Sequence, residues 1–249
     1  MEYSKAPVSA VILGITFGNN NKMPVDKLFQ ISSMFSEEFP IVEICPPVVL
    51  EELNGFRLQP MVADIGAGPF LVRRRTSDAK WLLQIQSNKI YLNWIRKDDE
   101  PVGVYAGFSS VKEYFASILK KISEVVDMNT DHLLYELSYQ DRVEWQDIIS
   151  DISEINTIMN VKAPPKFSAE GYNNLFSRYT YPASDIGGYG LLGINTDTSV
   201  SQKQVIRFES NLRGIIPQKT FDEWTAFAHQ KQLAIFESCF SEKLRNLWK

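Results

Sequence analysis

The chain is short of the residues that hold soft metals or bridge segments covalently. Its 249 residues include two cysteines and two histidines, His132 and His229. Cys45 and Cys239 stand far apart and no Cys-x-x-Cys pair occurs, which argues against a zinc site built from thiolates and imidazoles. Two buried, unpaired thiols in a reducing compartment is the expected state. Long apolar runs are missing as well. The run Val8 to Phe17 is far shorter than the ~20 residues that a membrane span needs, and the N-terminal Met1-Glu2-Tyr3-Ser4-Lys5 does not read as a signal peptide. A cytoplasmic location, with no membrane as partner, is the resulting expectation. Nor is there a basic surplus. Lys and Arg number 26 against 30 Asp and Glu, a net charge of −4, which weighs against general nucleic-acid affinity while leaving room for a local basic patch.

What is present describes an ordinary folded chain. Hydrophobic residues make up 44 % and charged residues 22 %, enough apolar material for a sizeable core in one compact domain spanning 1–249. The most readable stretch runs from Trp81 to Arg96. Side chains on a strand alternate between faces, so Leu83, Ile85, Leu92 and Trp94 share an apolar face across a Ser87-Asn88-Lys89 turn. Gln84, Gln86, Tyr91 and Asn93 share the other. That second face is a row of neutral donors and acceptors, none titrating near neutral pH. It is either an internal hydrogen-bond network or a surface for recognising a peptide or protein.

Around this hairpin the remaining elements follow from periodicity and punctuation. Val8 to Phe17 and Ile41 to Cys45 are strands. Pro24 opens a helix carrying Leu28, Ile31, Phe35 and Phe39, closed by Pro40. Residues 50–69 are a long loop, and Phe70 to Arg75 is the strand before the hairpin. Ser110 and Glu113 have the spacing of a capping box, ahead of the stripe Val111, Phe115, Ile118, Leu119 and Ile122. Leu133 to Trp145 is strand-like. Ile148, Ile152, Ile155 and Met159 suggest a short helix, and Ala163 to Lys166 a loop. Asn174 to Tyr181, Tyr189 to Thr196 and Gln204 to Leu212 are three further strands. Thr220 and Glu223 cap a last helix reaching about Leu247. The fold class is therefore α+β, a mostly antiparallel sheet in two similar β-α-β-β-β-α halves packed with long helices. Residues 8–126 and 133–247 are the halves of a suspected internal pseudo-two-fold.

Three constellations bear on function. His229 lies on the apolar stripe of the last helix, either as a general base or ligand or as a neutral imidazole bonded to a backbone carbonyl. Gly188-Tyr189-Gly190-Leu191-Leu192-Gly193 matches Gly-x-Gly-x-x-Gly, but strand rather than helix follows it, so glycines in a bent strand are the better reading. Arg73, Arg74 and Arg75 form either a phosphate-binding patch or a solvated strand.

The order Ala10-Val11-Ile12-Leu13-Gly14-Ile15-Thr16-Phe17, then Glu38-Phe39-Pro40, then Leu83-Gln84-Ile85-Gln86 with Asn93-Trp94-Ile95-Arg96, then Ala228-His229 with Phe236 and Trp248, resembles a sporadically distributed family of uncharacterised bacterial proteins about 250 residues long. The likeness spreads over the whole chain. It departs at Tyr139-Gln140-Asp141, where the pattern has Tyr-x-Asn. The resemblance implies an accessory or antitoxin-like component of a phage-defence or toxin–antitoxin system. It brings no assigned catalytic residues. The expected function is binding or regulation through a protein partner, with homo-oligomer formation as a further expectation and no cofactor. The binding residues expected are Gln84, Gln86, Tyr91, Asn93, Arg96 and His229. The alternatives are a small hydrolase or nucleotide-modifying enzyme using His229 with Gln84, Asn93 or Arg96, and nucleic-acid binding through Arg73 to Arg75.

Overall fold

The computed structural model describes residues 3–16, 23–46, 71–127, 134–145, 148–150, 152–160, 176–198, 203–216 and 219–249. Nine strands and four α-helices are found there: β1 Val8–Thr16, α1 Val25–Met34, β2 Ile41–Cys45, β3 Leu71–Arg75, β4 Trp81–Gln86, β5 Lys89–Ile95, α2 Phe108–Ser123, β6 Leu134–Glu144, β7 Phe176–Ala183, β8 Gly188–Thr198, β9 Gln204–Gly214, α3 Phe221–Cys239 and α4 Glu242–Asn246. The strands form one antiparallel sheet in the order β2-β3-β4-β5-β1-β6-β9-β8-β7. The class is α+β. No described helix is long and apolar enough to cross a membrane.

The chain divides into two compact units made of interleaved segments. One comprises Met1–Leu13, Trp94–Glu113 and Tyr135–Lys249, the other Gly14–Asn93 and Tyr114–Leu134. In the second unit β3 pairs with β4 so that Arg73 faces Gln84 and Arg74 faces Leu83. Its core includes Leu28, Ile31, Phe35, Phe39, Leu83 and Ile85, each no more than 1 % exposed. The amide face of the hairpin is largely covered too, with Gln84 and Tyr91 half-buried. Leu83, Ile85 and Leu92 are buried on one side, and Gln86 and Asn93 are buried as well. The amide row therefore satisfies itself: Gln84 Nε2 donates to Asn93 Oδ1 at 3.3 Å, and Arg73 Nε donates to Gln84 Oε1 at 3.2 Å. The ring of Tyr91 lies against Gly14, where any Cβ would overlap it.

In the first unit β6 pairs with β9 in a register that sets Leu137 opposite Leu212, Tyr139 opposite Ser210 and Asp141 opposite Phe208. Alternation then turns Tyr135, Leu137, Tyr139, Asp141 and Val143 to one face. Helix α3 covers that face. Trp224 packs on Tyr135 with ring centroids 5.6 Å apart, and its indole N–H donates to the carbonyl of Ile186 at 3.1 Å. The opposite face carries Glu136, which accepts from Asn211 Nδ2 at 2.6 Å and forms an ion pair with Arg213. A second core of Val143, Ile206, Phe208, Phe240, Leu244 and Trp248 closes the far end.

Several expectations are corrected. The last helix stops at Cys239: Phe240 turns extended, bridges Met159, and Ser241 caps the separate α4, its hydroxyl accepting from the Leu244 N–H. An apolar stripe continues through such a break because Phe240 and Leu244 remain buried while the backbone changes direction. Helix α2 starts at Phe108, so Ser110 lies within its first turn and is not the cap. Residues Ile152–Thr157 form a 3-10 helix. The two cysteines are unpaired but only partly buried. The expected loops at 50–69 and 163–166 lie outside the described residues. Gly188, Gly190 and Gly193 sit in β8, and a Cβ at Gly188 would strike the carbonyl of Arg213 in the neighbouring strand. As expected from the sequence, this motif is strand and not a phosphate loop, and Gly190 likewise leaves room for the ring of Tyr181.

Candidate functional site

Between α3, β6, β9 and the segment 3–8 of the first unit lies a cavity of about 450 Å³. That is within the range of small-molecule sites. Each wall has a local cause. The capping box at Thr220 starts α3: its hydroxyl accepts from the Glu223 N–H at 3.2 Å while Glu223 accepts from the Thr220 N–H at 2.8 Å. From that fixed start, residues one turn apart bring Thr225, His229, Gln232 and Phe236 along the sheet-facing side. Strand alternation supplies Tyr139, Asp141, Phe208 and Ser210. Tyr105 and Phe108 arrive from the turn into α2, where Gly103 and Gly107 hold φ of 89° and 85°. A Cβ on Gly103 would come 2.8 Å from the carbonyl of Ser4, so that glycine lets the N-terminal segment close down on the loop.

The polar groups form a short chain. The Tyr139 hydroxyl shares a 2.9 Å hydrogen bond with His229 Nδ1, and the Tyr105 hydroxyl lies 3.4 Å from that of Tyr139. Phe108 stacks on the imidazole, centroids 4.0 Å apart and planes at 10°. Burial lowers the His229 pKa to about 4, so the ring is neutral near pH 7. Burial also holds both phenols above their usual range, so they stay protonated. Gln232 is consumed structurally. Its amide donates to the carbonyls of Leu137 and Ser210 at 3.0 Å each, and its oxygen accepts from the Ser210 hydroxyl.

Asp141 stands apart from this chain. It is 2 % exposed, it lines the cavity, and its Oδ1 has no hydrogen-bond partner. Burial raises its pKa to about 7, against the opposing pull of Arg96. A buried polar atom without a partner is costly, and most such atoms in folded proteins find one. Here a carboxylate oxygen is left unsatisfied beside space that a molecule could fill.

The residues singled out from the sequence fall in different places. His229 lines the cavity. Arg96 is buried in the same unit and donates to the carbonyl of Pro7 at 3.4 Å. Gln84, Gln86, Tyr91 and Asn93 belong to the other unit, where Gln86 donates to Asn88 Oδ1 at 3.3 Å. The three arginines there are each engaged. Arg74 donates to Ser32 Oγ at 2.7 Å and to the Phe39 carbonyl at 3.0 Å, Arg75 approaches Glu43 at 3.5 Å, and Arg73 holds Gln84. Among the described residues no three His, Cys, Asp or Glu side chains are grouped to hold a metal. Sequence reasoning missed Tyr105, Tyr139, Asp141 and Ser210 as site residues. The available signal was a carboxylate at an inward position of an alternating strand, Tyr135-x-Leu137-x-Tyr139-x-Asp141-x-Val143. No protein-family model, no curated protein and no solved structure matches the chain.

Proposed function

We propose that the chain is a binding protein whose site is the cavity beneath α3, taking a small, largely apolar molecule. The observation that carries this reading is the unsatisfied Oδ1 of Asp141 facing a cavity whose other described walls are aromatic, aliphatic and neutral polar side chains. The groups that a hydrolase would use are set against that chemistry. A histidine with a pKa near 4 is a weak base at pH 7. The Ser210 hydroxyl is bound to Gln232, and burial pushes the Cys239 thiol up. The test is a thermal-shift screen of aromatic fragments. Ligands at a hundredfold excess over Kd stabilise by about 2.7 kcal/mol. Leu233→Trp fills the space from α3 and removes the shift. Fragments that shift both proteins equally, or neither, end the reading.

A second reading, recognition of a protein partner as expected for an accessory or antitoxin-like component, is favoured by β2. This strand ends the sheet order, and Ile41, Val42 and Ile44 are 44 %, 51 % and 61 % exposed. Exposed apolar edge strands template pairing with another chain. Ile44→Lys then removes a co-purifying partner, or reduces self-association in sedimentation, without lowering stability. The strand order also supports the proposed duplication. Strand β1 borders β5, with β4 and β3 beyond it, as β6 borders β9, with β8 and β7 beyond it. Superposition of 8–126 on 133–247 tests it.

A further inference from the structure

The chemical class of the ligand follows from what the cavity can neutralise. Among the described residues its lining includes a single carboxylate, Asp141, and no lysine or arginine. We propose that the cavity takes a small organic cation, an ammonium or amidinium on an apolar or aromatic body, with Asp141 as its counter-ion. This rests on the ligand-binding reading above and names the substrate class of the same site.

Three observations converge. When ionised, a carboxylate can only accept, and a ligand N–H supplies the donor that its unpartnered oxygen lacks. The rings of Tyr105, Phe108, Tyr139, Phe208 and Phe236 line the same space, and aromatic faces attract cations. Among the described residues no positive side chain on the wall competes, because the imidazole is neutral near pH 7. An anionic ligand would meet Asp141 with like charge. A neutral one would lack the charge-assisted hydrogen bond that an ammonium makes to the carboxylate.

The surroundings of Asp141 set the pH dependence. Arg96, at the end of the hairpin, faces it electrostatically without a direct ion pair among the described residues. Tyr139 lies on its own strand, Tyr105 on the loop before α2 and His229 on α3. Strand β9 adds Phe208 and Ser210 in the cavity, and Arg207 and Glu209 in a second cavity that Asp141 also borders with Arg178. The N-terminal segment contributes Tyr3, Ser4, Ala6 and Val8, with no Lys, Arg, Asp or Glu among them. Within the ligand cavity, Asp141 titrates near neutrality. A bound ammonium favours its ionised form, so binding below about pH 7 expels a proton.

The experiment uses the full chain and three probes of one shape: 2-phenylethylamine, 2-phenylethanol and 3-phenylpropionate, titrated by calorimetry at pH 8 and pH 6. The amine is expected to bind at least about tenfold more tightly than the alcohol at pH 8, and the acid not at all. Amine affinity falls by up to roughly tenfold from pH 8 to pH 6, while alcohol affinity stays constant. Amine titrations at pH 6 in phosphate and in a sulfonate buffer of different ionisation heat report the expelled proton as a difference in heat, with no variant needed. Asp141→Asn, of the same shape, keeps alcohol binding and loses the preference for amine. Equal binding of amine and alcohol, or an amine preference surviving in the Asn variant, overturns the cation proposal and leaves the cavity as a binding site. Absence of binding by all three at millimolar concentration overturns both.

Discussion

Two residues of the cavity pull stability in opposite directions as pH changes. Asp141 has its pKa raised from 3.8 to about 7 in the folded chain. The folded state therefore holds the proton that the unfolded state has lost. Its contribution is full below the unfolded value and is lost as pH rises to about 7. His229 has its pKa lowered from 6.5 to about 4. Its contribution is full above the unfolded value and is lost as pH falls through the same window. Each slope is roughly 1.4 kcal/mol per pH unit at most, so the two largely cancel between about pH 4 and 6.5. Urea unfolding across this range is expected to be nearly flat for the wild type, rising with pH for Asp141→Asn and falling with pH for His229→Gln. Parallel curves for all three would show that neither group titrates as the geometry dictates. Arg74 makes a different residue-scale case. The residue is 9 % exposed, and its guanidinium satisfies Ser32 and the Phe39 carbonyl. Arg74→Ala leaves that carbonyl without its donor and is expected to cost about 2–3 kcal/mol in urea unfolding.

At the scale of the element, two serine or threonine residues with the same sequence spacing to glutamate have different fates. Thr220 exchanges hydrogen bonds with Glu223 at the start of α3. Ser110 lies inside α2, because Gly107 bends the chain two residues after Tyr105 and Phe108 is already helical. Thr220→Ala is expected to destabilise by about 1 kcal/mol, and Ser110→Ala by less than about 0.5 kcal/mol, as for a surface site. Equal losses would mean that α2 begins later than described. The turn between β7 and β8 is held more strictly. Gly187 has a φ of 67°, and a Cβ there would run into the carbonyl of Ile215. Gly187→Ala therefore combines backbone strain with a backbone clash, and a loss above about 1 kcal/mol is expected.

For the whole molecule, charge decides which partners are approached over distance. A net charge of −4 repels a polyphosphate, and the three consecutive arginines are spent on Gln84, Ser32, Phe39 and Glu43. The chain is expected to pass unretained over duplex DNA at 150 mM salt, and Arg73→Glu with Arg75→Glu to leave that unchanged. Retention that those two substitutions abolish would restore the nucleic-acid reading. The two compact units differ in where their polar groups go. In one, the hairpin amides close on one another. In the other, a phenol–imidazole chain and an unsatisfied carboxylate face open volume.

The sequence by itself determined the strands, most helices and the faces of the hairpin, because these follow from spacing within a few residues. Period-two alternation from Leu83 to Trp94 and the reciprocal pair Thr220 and Glu223 are local instructions, and the backbone obeys them wherever the segment lies. It also determined that β8 would follow its glycines as strand. It did not determine where α3 ends, since an apolar stripe persists through Phe240 and Leu244 whether or not the helix does. The site was decided by tertiary structure alone. Tyr139 meets His229 across 90 positions of chain, and Asp141 acquires its perturbed acidity only when β9, α3 and the N-terminal segment take water away from it. Desolvation is a property of the packed volume around a group, and no spacing along the chain encodes it.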